Sequence, residues 1–345
     1  MSQTNNDRST QGRLRTGLIA SGERLDLVAP AVQACPLLEL TGQSGMPQAA
    51  ALPKVPWLDD WRVLMDQADL QAILLATTTR NDAELGAMAA QRGLHVWRLP
   101  PLARSFAEAA EIAGNIKRHA TIYRLASWWE HVADHVWHEL DWPENFQPLF
   151  SDLRISAVGP VAGSWRTSMN EAGGGVLAND GYAQLEALVA VRGLPESVSA
   201  AVGSCRPQPG GAAGDAEDTA LAILRYSGGG MAAVRATWNL PPIEQQLLHH
   251  GQVATVRLTG EEASVSDADG GLRDRHPLSG DYLASDLHRF VQWVGGDARD
   301  RAAEAVERHL AISALLDTVY LSARTGHPES PRKFYEVQGW PLPRS

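Results

Sequence analysis

The chain has 345 residues, 44% of them hydrophobic, with a formal charge of −10, which is length and apolar content enough for two packed domains. The acidic balance leaves no broad basic surface, so general nucleic-acid and anionic-membrane binding are excluded as expectations. No apolar run approaches the roughly 20 residues that span a bilayer, and the polar start MSQTNNDRSTQGR lacks the apolar core of a secretory signal, so a cytoplasmic location is expected.

Residues 1–13 read as a disordered tail. From Leu14 short apolar runs alternate with amphipathic stretches: RTGLIA, a helix from about Leu25 to Ala34, LLELTG, WRVLMDQA, LQAILLAT, a helix from Asp82 to Arg92, HVWRL, a helix over Phe106–Arg118, and TIYRL. Repeated strand–helix–strand units build a doubly wound parallel sheet, because parallel neighbours need a crossover and helices then cover both faces. Residues 14–125 are therefore expected to form a Rossmann-type domain.

Residues 126–345 have a different texture. LRISAVG, TALAILRYS, MAAVRATWNL, QVATVRLTG and ASVSDA are β-rich runs broken by glycines, with Gly228-Gly229-Gly230 placed to turn a hairpin. This predicts a large open antiparallel sheet, so the fold class is α/β followed by α+β. Residues 207–218, PQPGGAAGDAED, read as an exposed loop. Two helices are expected between Ser285 and Ala323, split at Gly295-Gly296. Cys35 and Cys205 fall in different predicted domains without CxxC spacing, which supports neither a disulfide framework nor a thiolate metal site.

The stretch from Trp128 to Trp142 is rich in Trp and His. On a helix His131, His135 and His138 share one face and form a weak candidate metal site, with Asp134 beside them. The alternative is an exposed polar face opposite buried Trp128, Val132, Trp137 and Leu140. Trp97, Trp128, Trp129, Trp142 and Trp165, among eleven Trp in all, suit either a ligand cleft, a partner surface or plain core packing.

The segment Glu171–Glu186, EAGGGVLANDGYAQLE, resembles the Gfo/Idh/MocA family pattern GGGxLxDxGxHxxD. LPESVSA at Leu194–Ala200, MAAVRATWNLP at Met231–Pro241 and SARTGHP at Ser322–Pro328 extend the likeness from Leu14 to about Pro331. The resemblance implies an NAD(P)-dependent oxidoreductase that forms a dimer or tetramer through its second sheet. Yet the family's Asp is here Asn179, its His is Ala183 and its last Asp is Glu186. Where the family carries Glu-Lys-Pro, this chain reads Leu99-Pro100-Pro101.

A base must take the hydroxyl proton when hydride leaves an alcohol, and His is suited to it by pKa. Ala183 has no such group, leaving Asp180, Tyr182 and Glu186 as candidate replacements. Each also has a bland reading: Asp180 capping the next helix, Tyr182 packing, Glu186 facing solvent. Arg98 and Arg104 lie near the lost lysine, but guanidinium orients an anion and does not exchange protons near neutrality.

The glycine turn is also altered. Ala20-Ser21-Gly22 stands where GxG is expected and Leu25 replaces the third glycine, with Glu23 adding charge where phosphate would sit. Gln43 falls where an acidic residue would hold ribose. The family segment ATPxxxH reads Ala76-Thr77-Thr78-Thr79-Arg80-Asn81-Asp82. NAD or NADP would therefore rest on Ala20, Ser21, Gly22, Gln43, Thr77 and Thr79, and the damaged turn weighs against its binding. A substrate or partner cleft would use Trp97, Arg98, Trp128, Trp129, Trp165 and Asn179.

Two functions follow. One is a degenerate homologue without the usual turnover, acting as a small-molecule-binding, regulatory or companion subunit. The other is an active oxidoreductase or lyase on a sugar, cyclitol or related substrate, using the replacement acid and base groups.

Overall fold

The computed structural model describes residues 12–50, 52–119, 121–144, 146–161, 163–205, 214–296 and 298–343. The expected tail as far as residue 11, and residues 207–213 of the expected loop, lie outside them.

Continuous apolar runs suit strands covered on both faces, and every residue of β3 (Ala72–Ala76) is buried. With β1 (Leu14–Ala20), β2 (Leu38–Ser44), β4 (His95–Arg98) and β5 (Tyr123–Leu125) it forms a parallel sheet in the order β2-β1-β3-β4-β5. The crossovers are α1 (Gly22–Ala34), α2 (Trp61–Met65), α3 (Thr79–Gln91) and α4 (Phe106–His119). The order reverses between β1 and β3, which is where sheets of this kind place their ligand crevice, outside the carboxyl ends of the strands. Helix α3 starts earlier than periodicity suggests because Thr78 caps it, its Oγ1 accepting from the Asn81 amide at 3.2 Å.

After α5 (Trp128–Val132) and β6 (Phe150–Ser156) come α6 (Met169–Ala172), α7 (Val176–Asn179) and α8 (Tyr182–Arg192). The strands that follow are β7 (Ser197–Gly203), β8 (Thr219–Arg225), β9 (Met231–Thr237), β10 (Glu244–His250), β11 (Ala254–Thr259), β12 (Glu262–Asp267) and β13 (Leu272–Pro277). They join β6 in an eight-stranded sheet, β13-β12-β11-β10-β6-β9-β8-β7. The expected hairpin is present: β8 and β9 pair antiparallel across Gly228 and Gly229, whose φ values of 97° and 95° suit glycine. The sheet is not wholly antiparallel, since β6 and β9 run parallel. The helices α6–α8 and the strands β7 and β8 between them supply the long connection such a pair requires.

Three helices close the chain: α9 (Tyr282–Gly295), α10 (Arg299–Thr325) and α11 (Arg332–Gln338). The predicted split at Gly295 is seen, whereas α11 was not expected. Leu287, Phe290 and Trp293 of α9 share a core with Leu18, Leu74 and Trp97 of the first sheet. Helix α10 passes from that layer to the second sheet, where Ile312, Leu315 and Val319 meet Leu153, Val234 and Leu247. It is buried on several sides as a result.

A buried charge cluster fastens α9 beneath the first sheet. Asp286 accepts from Arg124 Nε at 2.9 Å, from Trp97 Nε1 at 2.8 Å and from the Ser127 amide at 3.1 Å, and pairs with Arg124 Nη2. Among the described residues, no helix is long and apolar enough to cross a membrane.

Candidate functional site

The crevice at the strand ends is spanned by a side chain of the protein itself. Arg24, in the first turn of α1, donates Nη1 to Asp82 Oδ2 at 3.1 Å and Nη2 to the Pro100 carbonyl at 2.9 Å. It therefore ties together the turns that follow β1, β3 and β4. Trp165 closes over it with the guanidinium 4.7 Å from the ring centroid, leaving Arg24 8% exposed. Burial lowers the Arg24 pKa to about 10, against the opposing pull of Asp82, so it remains a cation at neutral pH. Asp82 is fully buried and also accepts from the Thr77 amide and hydroxyl at 2.9 and 2.6 Å.

Several of the residues expected to hold a dinucleotide are otherwise engaged. Gly22, at φ 55°, has open space around it, but the Ser21 amide donates to Ala76 O at 3.0 Å. Ala20 is buried, and Thr77 faces Asp82. Thr79 is fully buried, its hydroxyl without a partner. Gln43 does not face the crevice: Nε2 donates to Leu52 O and Val55 O at 2.9 Å, and Oε1 accepts from the Leu52 amide at 2.7 Å. Its amide is consumed in holding that loop. As they stand, these residues do not fit a dinucleotide: Gln43 and Thr77 spend their polar groups on the protein, and Arg24 lies across the strand ends.

Arg98 likewise spends its guanidinium on the protein. It is fully buried and donates to the carbonyls of Pro101 at 2.8 Å and Leu102 at 3.1 Å and to Tyr123 Oη at 3.2 Å, clamping the turn that replaces Glu-Lys-Pro. The lysines of the chain, Lys54, Lys117 and Lys333, supply no substitute. Lys117 pairs with Glu307 and Lys333 with Glu329, while Lys54 is exposed near the Gln43-bound loop.

On the facing domain, glycine allows very close packing. A Cβ at Gly173 would stand 2.3 Å from Arg104 Cα, and one at Gly175 would stand 1.7 Å from Glu217 O. Glu217 holds this turn, accepting from the amides of Gly175 at 2.6 Å and Leu177 at 3.1 Å and from Tyr320 Oη at 3.1 Å. It belongs to the stretch expected to be an exposed loop, yet Ala216, Glu217 and Asp218 are buried. The buried carboxylate serves the backbone donors that the tight turn leaves unpaired. Asn179, half-buried, spends its Nδ2 on Gly174 O and Gly175 O at 2.9 and 2.8 Å.

The three candidate replacements diverge. Asp180 does not cap α8; it pairs with Arg166 and accepts from Trp238 Nε1 at 2.7 Å. Tyr182 is buried with Oη 3.0 Å from His309 Nδ1, the rings stacked. Glu186 does not face solvent: it is 1% exposed, accepts from Ser127 Oγ at 2.6 Å, and lies 3.5 Å from Arg308 and 3.9 Å from His309 Nε2. Burial raises Glu186 to about 7 despite Arg308, and lowers His309 to about 3. His309 was missed because it sits within a long helix far from the motif. Its placement returns an imidazole near Ala183, but inside the core.

The tryptophans separate as well. Trp97 is fully buried on Asp286, while Trp128, Trp129 and Trp142 pack on the second sheet's core; Trp165 alone of the five reaches the Arg24 bridge. The histidine face divides: His131 and His135 stay together, their ring centroids 4.2 Å apart, but His131 is buried while His135 and His138 are exposed, and Ala133–Trp137 is π-helical. The wider turn rotates later residues off the α-helical register. Among the described residues, no group of three His, Cys, Asp or Glu side chains could hold a metal ion.

The fold joins a parallel Rossmann-like sheet to a larger, mostly antiparallel second sheet. Residues 148–266 match the family model of the GFO/IDH/MocA C-terminal domain, so the second sheet is a Gfo/Idh/MocA domain, as the resemblance implied. Levoglucosan dehydrogenase, solved with NADH and L-sorbose, is 18% identical with a TM-score of 0.77 over 93% of this chain and 99% of that one. A putative NADPH-dependent oxidoreductase from Desulfitobacterium hafniense has 16% identity and a TM-score of 0.77, covering 93% and 98%. The WlbA dehydrogenase from Bordetella pertussis, solved with NADH and UDP-GlcNAcA, has 19% identity and a TM-score of 0.73, covering 96% and 100%. These are likenesses of fold. Comparison with curated proteins finds no match.

Proposed function

We propose that this chain is a Gfo/Idh/MocA-type oxidoreductase homologue that does not run the usual dehydrogenase turnover and serves as a small-molecule-binding, regulatory or companion subunit. The observation that carries this reading is the Arg24 guanidinium held between Asp82 and Pro100 across the crevice. Pro100, Asn179 and Ala183 add to it, since none of them exchanges a proton near neutrality. The second sheet would serve assembly into a dimer or tetramer: Leu221 and Ile223, both 51% exposed on β8, give its outer face an apolar strip. The test is steady-state assay with NAD and NADP across polyols and sugars. No turnover above the protein-free rate is expected; turnover that Glu186→Gln or Tyr182→Phe abolishes would overturn the proposal.

The second reading is an active NAD(P)-dependent oxidoreductase or lyase on a sugar, cyclitol or related substrate. It is favoured by the contact of Tyr182 with His309 and the nearness of Glu186 to that ring, a linked set of the kind acid–base chemistry uses. Tyr182 and His309 are each 1% exposed, so the set would have to open before it met a substrate. That requirement ranks the reading second.

A further inference from the structure

Residues 164–173 of the second domain run across the strand ends of the first and touch them at several points. Arg104 Nη1 donates to Asn170 O at 2.8 Å, and Glu171 accepts from Thr78 Oγ1 and Arg80 Nη1, both at 3.3 Å. The contacts at the head of this segment are reciprocal between two adjacent pairs. Trp165 covers Arg24, while Arg166 Nη1 lies 3.8 Å from Glu23 Oε2. Arg166 is itself held by Asp180 and stands over the Trp238 ring at 5.6 Å. The segment is thus anchored in its own domain and laid over the crevice of the other.

We infer that residues 164–173 form a strap latched at Glu23-Arg24 by Trp165-Arg166, which gates the crevice between the domains. The inference rests on the reading of Arg24 as a built-in bridge and adds the element that keeps the bridge covered. Its physical basis is an asymmetry of contact. Glu23 is exposed and its pairing with Arg166 is long, so that half of the latch is weak. The stack of Arg24 on Trp165 is shielded from water and is the stronger half. Between that stack and the close packing of Gly173 on Arg104 at the far end the segment meets the first domain through a few part-exposed contacts, so it opens locally from the Trp165 end, without unfolding either sheet.

The test reads the strap from the opposite domain. Glu23→Ala combined with Arg24→Met and Asp82→Asn removes the latch on the first domain, the Asn sparing Asp82 an unpaired buried charge. Hydrogen exchange over residues 164–172, more than eighty positions away in sequence, is then compared with the native chain. Exchange there should accelerate about tenfold or more while β3 and β9 are unchanged, as expected for local opening. Acceleration under about twofold would overturn the latch. Trp165→Ala is the second variant and leaves the bridge itself intact; it should accelerate exchange over 166–172 by a similar factor, and no change there would equally count against the strap. NADH titration of the same proteins separates the two claims. Micromolar binding by the native chain overturns the built-in bridge, whereas the exchange result judges the latch.

Discussion

Arg24→Met removes the charge from the crevice bridge and keeps most of its bulk. Asp82, fully buried, is then left with only the amide and hydroxyl of Thr77 as donors. Removing one member of a buried ion pair costs about 3–5 kcal/mol, and the two surviving donors put the expected loss at the lower end, about 3 kcal/mol. Asp82→Asn keeps an acceptor for Thr77 and leaves the guanidinium on Pro100 and Trp165, so it should cost about 2 kcal/mol. The double variant should cost less than the two together, with a coupling of about 2 kcal/mol. Urea unfolding followed by tryptophan fluorescence measures all four corners of the cycle. Additivity within about 0.5 kcal/mol would refute the claim that Arg24 and Asp82 act as one bridge.

Three further outcomes are expected. Glu186, with its folded pKa raised to about 7, keeps its proton where the unfolded chain has lost it, so its contribution to stability falls as pH rises from the ordinary carboxylate range towards 7. Glu186→Gln should therefore gain on the native protein across that window, by up to about 3 kcal/mol, and a pH-independent difference would contradict this. Gly175→Ala drives a methyl into the backbone of Glu217 and should cost about 3 kcal/mol or more, seen as a fall in Tm; a Tm within a degree or two of native would show that the turn is not close-packed. Leu221→Glu with Ile223→Glu should shift the sedimentation coefficient from an oligomer to a single chain, and no shift would remove the second sheet as the assembly face.

Much of the architecture was legible because its signals are local. AILLA on β3 has no polar position, and glycines at 228 and 229 mark a hairpin wherever they stand between alternating runs. The parallel pairing of β6 with β9 was not legible, since strand partners across long connections leave no trace in either run. The site was legible as a set of losses. Pro100, Asn179 and Ala183 stand in readable motifs, but what replaced their chemistry depends on distant contacts. Arg24 and Asp82 lie 58 positions apart, and nothing near either announces the other. Glu217 was hidden in a Gly- and Ala-rich stretch that composition assigns to solvent, although it caps the turn at Gly175. The burial of Glu186 came from Ser127, Arg308 and His309, on two other segments. The π-helical turn at Ala133–Trp137, which shifts His138 from its α-helical register with His131, is not anticipated by helical periodicity.

Calorimetric titration of the native chain with NADH and with NADPH tests most directly whether the crevice is closed by its own arginine. Affinity no tighter than about 1 mM is the predicted result, with tighter binding recovered in the Arg24→Met, Asp82→Asn variant. Micromolar affinity for either dinucleotide in the native chain would contradict it.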